Sequence, residues 1–161
     1  MSIPVVIVDD EEMDRYIARR AISGSGTDCR VIEFHAGDEF AELFDDDDAF
    51  QHKIGDVPPP LLVLLDINMP RMNGFEVLEK LQKQFEARRR EPGCFIVLMY
   101  SSSNHAKDRA DALEYEFVYD YLVKPIDETT FRHLIEKYYE GDARPSQAGD
   151  ATDKAESSAS R

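Results

Sequence analysis

The chain has 161 residues, of which 42% are hydrophobic, enough for one ordinary domain with a real core. Its 33 acidic residues outnumber 19 basic ones for a formal charge of −14, which argues against general affinity for nucleic acid or anionic membrane, because phosphate binding needs clustered Lys and Arg. The N-terminus lacks a basic segment followed by a long apolar stretch and no run approaches the roughly 18 residues of a membrane span, so a cytoplasmic protein is expected.

Residues 4–8 read as a first strand, which ends on Asp9 and Asp10 with Glu11 next. Met13, Ile17 and Ala21 then recur at helical spacing. Residues 30–34 read as a second strand, and Phe40 with Leu43 and Phe44 marks a second helix. Residues 45–60 contain four consecutive Asp and three consecutive Pro, which suit neither strand nor helix, and predict a long acidic loop. Cys29 and Cys94 lie far apart, which predicts two buried reduced thiols rather than a disulfide.

Residues 61–65 are Leu-Leu-Val-Leu-Leu, an unbroken apolar run that stops on Asp66. Five apolar residues without alternation suit a strand buried on both faces, as in a parallel sheet covered by helices. Asp66 either caps the following turn or points into a site beyond the carboxyl ends of the strands. A third helix carries Phe75, Leu78, Leu81 and Phe85 and opens with Asn73 and Glu76, a capping box with Asn in place of Ser or Thr. Arg88, Arg89 and Arg90 follow, where cations complement the helix dipole, and read as a solvated helix end rather than a phosphate patch.

Residues 94–100 predict a fourth strand, followed by Ser101, Ser102 and Ser103. After Asn104 as N-cap, Ala106, Ala110 and Leu113 mark a fourth helix, which runs into residues 113–117 without a terminating Gly. Residues 117–123 predict a fifth strand that ends on Lys124 and Pro125. After Asp127 as N-cap, Phe131, Leu134, Ile135 and Tyr138 mark a fifth helix. From Gly141 onward almost no large apolar residue appears, so a domain over 1–140 and a disordered polar tail over 141–161 are expected. Tyr115, Tyr119, Tyr138 and Tyr139 are read as partly buried, with a contact surface as the alternative.

Five strands alternating with five helices imply right-handed crossovers and a doubly wound α/β fold with a parallel sheet. The first and third strands then deliver Asp9, Asp10 and Asp66 to one edge, and crowded carboxylates repel unless a cation joins them. Three such acids can hold Mg²⁺, a hard ion that prefers oxygen ligands. Capping of the first helix explains one acid of the pair but not two beside Asp66. The fourth and fifth strands add a hydroxyl from Ser101 and an ammonium from Lys124 at the same edge, where Lys124 can pair with Asp66 and later with an anion.

The segments Val8-Asp9-Asp10-Glu11, Leu65-Asp66-Ile67-Asn68-Met69-Pro70, Asn73-Gly74, Ser101-Ser102 and Tyr121-Leu122-Val123-Lys124-Pro125 together resemble the receiver domain of two-component response regulators, in the family's order over residues 3–140. The resemblance implies a flavodoxin-like fold and a phosphoprotein of phosphorelay signalling. It implies that Asp66 is the phosphoacceptor, that Asp10 binds Mg²⁺ directly and Asp9 largely through water, and that the backbone carbonyl of Asn68 completes the protein ligands. Ser101 matches the family's switch hydroxyl, Lys124 its lysine, and Tyr121 its aromatic switch, which would move into space vacated when phosphate draws Ser101 inward. It further implies a phosphohistidine donor on a histidine kinase or phosphotransfer protein, self-phosphorylation and slow hydrolysis without turnover of a separate substrate, and a signal read by a downstream protein.

With only a short tail after the fifth helix, a single-domain form is expected. It would bind a target, act as a relay, or drain phosphate from a kinase. A homodimer through the fourth helix, fifth strand and fifth helix is a further expectation. A Mg²⁺-dependent phosphohydrolase of the haloacid dehalogenase type also uses an Asp after an apolar strand. That family needs a second acid two positions later, where this chain has Asn68, and a small closing domain for which there is no room. Gly24-Ser25-Gly26 follows a helix rather than a strand and makes no phosphate cradle. His35, His52, His105 and His133 show no metal-ligand spacing.

Overall fold

The computed structural model describes residues 2–57 and 59–141. Along the chain run β1 (Ile3–Val8), α1 (Glu12–Gly24), β2 (Cys29–Phe34), α2 (Gly37–Glu42), α3 (Asp47–Ile54), β3 (Leu61–Leu65), α4 (Gly74–Glu86), β4 (Phe95–Ser101), α5 (Ala106–Leu113), β5 (Val118–Val123) and α6 (Glu128–Ile135). All strands pair in parallel in the order β2-β1-β3-β4-β5. This is a doubly wound, flavodoxin-like sheet, with six α-helices where the sequence predicts five.

The two-residue period of a strand explains the unbroken apolar run at β3. Leu61, Val63 and Leu65 face one side of the sheet with Phe40, Leu78 and Leu81. Leu62 and Leu64 face the other with Ala18, Ile22, Phe131 and Leu134. Both faces are dry, so polarity can enter only at the strand ends. The β4 and β5 ladder slips by one residue between Val97 and Leu98, leaving Tyr119 unpaired, before resuming with Ser101 opposite Val123.

The acidic loop expected over 45–60 is instead largely ordered. A 3-10 turn, Leu43–Asp45, leads into α3, whose N-cap Asp46 accepts the Ala49 N–H at 3.0 Å. The Asp run thus supplies a cap and a first turn of the sign that a helix N-terminus favours. Phe50 and Ile54 anchor α3, and Phe50 stacks on Phe44 and Phe95 with ring centroids 5.4 and 6.4 Å away. Arg90 is not a solvated helix end either. Its guanidinium sits 4.3 Å from the Phe50 ring centroid and 2.9 Å from Asp47, pinning α3 from the far side.

Other expectations shift locally. The Asn73 capping box and the Asp127 cap are both present. The N-cap of α5 is His105 rather than Asn104. There Ser103 accepts the His105 N–H at 3.4 Å and donates to Asp108 at 2.8 Å. α5 ends without a left-handed residue, at Glu114 with φ −71°. Met13 is 65% exposed, because α1 turns Ala18, Ala21 and Ile22 to the sheet. Leu113 is likewise exposed and Ala112 is the buried residue of α5. Both cysteines are free but only half-buried. Tyr138 is buried, and Tyr115, Tyr119 and Tyr139 are half-buried. The tail expected over 141–161 lies, beyond Gly141, outside the described residues.

Candidate functional site

The carboxyl end of β1 places Asp9 by two main-chain constraints. Its N–H donates to the Phe34 carbonyl at 3.0 Å, and Arg15 reaches back to its carbonyl at 2.8 Å while holding Glu33 at 3.2 Å. Asp9 Oδ1 accepts the Glu11 N–H at 2.9 Å, a turn contact ahead of α1, whose N-cap Glu11 has no side-chain cap hydrogen bond, and Oδ2 is left for other work. At the end of β3 the Asp66 N–H donates to the Val8 carbonyl at 3.0 Å, locking the two acidic ends side by side. Asp66 Oδ1 accepts the Ile67 N–H at 2.9 Å.

Gly74 allows the start of α4 to lie against this turn. A Cβ there would sit 2.3 Å from the Asp66 carbonyl oxygen, closer than any side chain tolerates, and the Gly74 N–H donates to the Ile67 carbonyl at 2.8 Å. Any larger residue would push the helix off the acid it supports.

Oxygens of Asp9, Asp10 and Asp66 all lie within 4.8 Å of one another. Asp9 and Asp66 are 1% and 5% exposed, and Asp10 is half-buried. The cation facing them is Lys124, which follows β5, with its Nζ 2.5 Å from Asp9 Oδ2, 3.0 Å from Asp14 Oδ2 and 3.5 Å from Asp66 Oδ1. A cis peptide joins Lys124 to Pro125, and the Lys124 N–H donates to the Ser101 carbonyl at 2.9 Å. Burial, then the nearby Asp9 charge, pushes the Asp66 carboxyl up to about 6 despite the pull of Lys124. Burial opposes the charge on Lys124, but hydrogen bonds to Asp9 and Asp14 outweigh it and hold the ammonium above its usual range.

Three carboxylates therefore meet one ammonium, and a fourth, Asp10, stands beside Asp9 and Asp66 with its Oδ1 buried and without a hydrogen-bond partner among the described residues. An orphaned carboxylate oxygen beside two further acids fits a hard divalent cation, which takes oxygen ligands.

Ser101 is fully buried at the end of β4, and its hydroxyl oxygen accepts the Ser103 N–H at 3.1 Å, leaving its proton free to donate. Ser102 is exposed. Tyr121 is already buried, and its hydroxyl donates to the Ser103 carbonyl at 2.9 Å. Asn68 is exposed in the turn after β3. Asp14 is the residue that sequence reasoning missed. The signal was its position four residues beyond Asp10, which puts it on the same side of the first turn of α1.

The response regulator receiver domain model matches residues 5–136. The chain belongs to the response regulator receiver domain family. Among curated relatives, the DNA-binding transcriptional regulator NtrC of Proteus hauseri is 29% identical over 147 residues, 89% of this chain but 27% of that protein. The receiver chain thus spans about a quarter of that relative's length. A two-component response regulator from Cytophaga hutchinsonii superposes with a TM-score of 0.69 at 22% identity, covering 85% of this chain and 97% of that one. The CheX-CheY-BeF3-Mg complex from Borrelia burgdorferi matches with a TM-score of 0.60 at 21% identity, covering 83% and 87%. At these identities the structures show a shared fold. Receiver domains are in general signalling modules rather than enzymes with a separate substrate. No helix among the described residues is long and apolar enough to cross a membrane.

Proposed function

We propose that this receiver domain accepts a phosphoryl group on Asp66 from a phosphohistidine donor in a Mg²⁺-dependent step, and signals through a partner protein that reads the modified surface. The observation that carries this reading is the buried Asp66 carboxylate lying beside Asp9 and Asp10 with the Lys124 ammonium 3.5 Å away.

A carboxylate oxygen of Asp66 attacks phosphorus in line. The P–N bond to the donor histidine breaks, and the imidazole leaves with the electron pair. Oδ1 is engaged by the Ile67 N–H, so Oδ2 is the nucleophile. Lys124 and the free proton of Ser101 then stabilise phosphoryl oxygens, the first by charge and the second by a hydrogen bond. Asp10, Asp9, Asp66 and the Asn68 backbone carbonyl would hold Mg²⁺, Asp9 largely through water. When bound, Mg²⁺ supplies charge neutralisation to the acids and to the incoming phosphoryl oxygens. The Borrelia complex, which contains BeF3 and Mg²⁺, is consistent with this chemistry.

The phosphate adds about −1.5 to −2 of charge beside a chain already at −14. Ser101 and Tyr121 would relay that change to the face of α5, β5 and α6, where a downstream protein or a second copy of the chain would read it. The donor would be a histidine kinase or a phosphotransfer protein. Incubation with Mg²⁺ and acetyl phosphate, followed by intact mass, is expected to give one phosphoryl adduct on the wild type and none on Asp66→Asn. An adduct of equal yield on Asp66→Asn would refute the assignment.

A further inference from the structure

We propose that Asp14 is a positioning residue, which holds the Lys124 ammonium on the α1 side of the site and so restrains its movement toward a phosphoryl group on Asp66. The proposal rests on the reading of Asp66 as phosphoacceptor. An ammonium has three N–H donors. Two are committed, to Asp9 at 2.5 Å and to Asp14 at 3.0 Å, while Asp66 at 3.5 Å is the loosest of the three partners. The side chain has little room to swing, being 8% exposed with its Nζ 5.5 Å from the ring centroid of Tyr100, whose hydroxyl takes the Ile126 N–H at 3.3 Å.

The third N–H is left for a phosphoryl oxygen on Asp66, but the ammonium sits nearer Asp9 and Asp14 than Asp66, so moving toward a phosphoryl group there stretches one of its two shorter carboxylate contacts. Asp9 cannot be the one released cheaply. Its side chain is 1% exposed, and an unpaired charge there is expensive. Asp14 is 34% exposed, so water can replace the ammonium. It also stands outside the group of Asp9, Asp10 and Asp66 that converges for a metal, so its contact with the site is through Lys124. The pair of Asp14 and Lys124 is therefore a cost of phosphorylation, and removing the Asp14 charge should make the phosphoryl state easier to reach.

The test is a double-mutant cycle read by titration calorimetry of beryllofluoride, a phosphoryl mimic, at saturating Mg²⁺. The proteins are the wild type, Asp14→Asn, Lys124→Met and the double variant. Asp14→Asn is expected to tighten beryllofluoride binding by about threefold or more when Lys124 is present and to change it by less than about 1.5-fold when Lys124 is Met. Asp14→Glu, which keeps the carboxylate, is expected to restore the wild-type affinity. Equal tightening in both backgrounds would mean that Asp14 acts only as a nearby negative charge, and would overturn the proposal. Weaker or unchanged binding of Asp14→Asn with Lys124 present would overturn it too. A wild type that takes no beryllofluoride at all would overturn the Asp66 reading itself, and this inference with it, whereas wild-type binding without coupling would sink this inference alone.

Discussion

Asp66 combines two properties that conflict in an isolated fold. It is buried beside another carboxylate, and the chemistry proposed for it requires it ionised. Its folded-state pKa of about 6 lies above the ordinary 3.8, so folding favours the protonated form. The stability this provides is fully present below about pH 3.8 and is lost as the pH rises through about 6. At neutral pH without a divalent cation, the ionised Asp66 opposes folding by an amount on the order of 2 kcal/mol. Asp66→Asn in chelator is therefore expected to be more stable than the wild type at pH 7.5, by about 1–2 kcal/mol, with the advantage shrinking at pH 4.5. Urea unfolding at the two pH values checks this, and no gain at pH 7.5 would remove the claim that Asp66 is held at a cost. The same residue was visible in the sequence as an acid ending an apolar run. Asp14 was not, because its role depends on a lysine 110 positions away.

At the scale of elements, α3 is the part of the fold that composition concealed. Four consecutive Asp residues read as a solvated loop because like charges repel, yet the first of a helix's two ends attracts that sign. The apolar residues that fix α3, Phe50 and Ile54, are too few to give a helical period on their own. They are recognisable only against Phe44, Phe95 and Arg90, which come from other elements. Phe95 opens β4, so α3 packs at the amino ends of the strands, away from the acids at their carboxyl ends. Phe50→Ala is accordingly expected to cost about 3 kcal/mol in chemical denaturation. The same variant should keep its Mg²⁺ affinity, and a matching loss of metal binding would show that the insert supports the site. By contrast the strands were legible to within a residue or two. In β1, β3 and β4, burial on both faces leaves an unbroken apolar signature.

Over the whole molecule the excess of acidic charge is distributed, but three carboxylates converge at the edge where β1 and β3 end. General screening and specific metal binding should therefore separate. With Mg²⁺ at about one hundred times its dissociation constant, the stabilisation expected for a single site is about 2.7 kcal/mol. Asp10→Asn should lose most of it. Sodium chloride of equal ionic strength should stabilise both proteins alike and more weakly, since it only shortens the range of repulsion among surface charges. Thermal unfolding in the two salts distinguishes the effects, and a Mg²⁺ gain that survives in Asp10→Asn would count against the assigned ligands. The global arrangement followed from the alternation of strand and helix signals. The inward Tyr121 did not, because a rotamer leaves no trace in the order of residues.

The contact between Lys124 and Asp9 joins residues 115 positions apart. Every acid of the cluster leaves the ribosome before the single ammonium that offsets it, and the sheet can pair β1 with β3 without β5. A chain halted ahead of Lys124 holds Asp66 and its neighbouring acids but lacks their counter-charge. On the proposed reading, competence to carry phosphate is thus acquired only with β5 and the lysine that follows it.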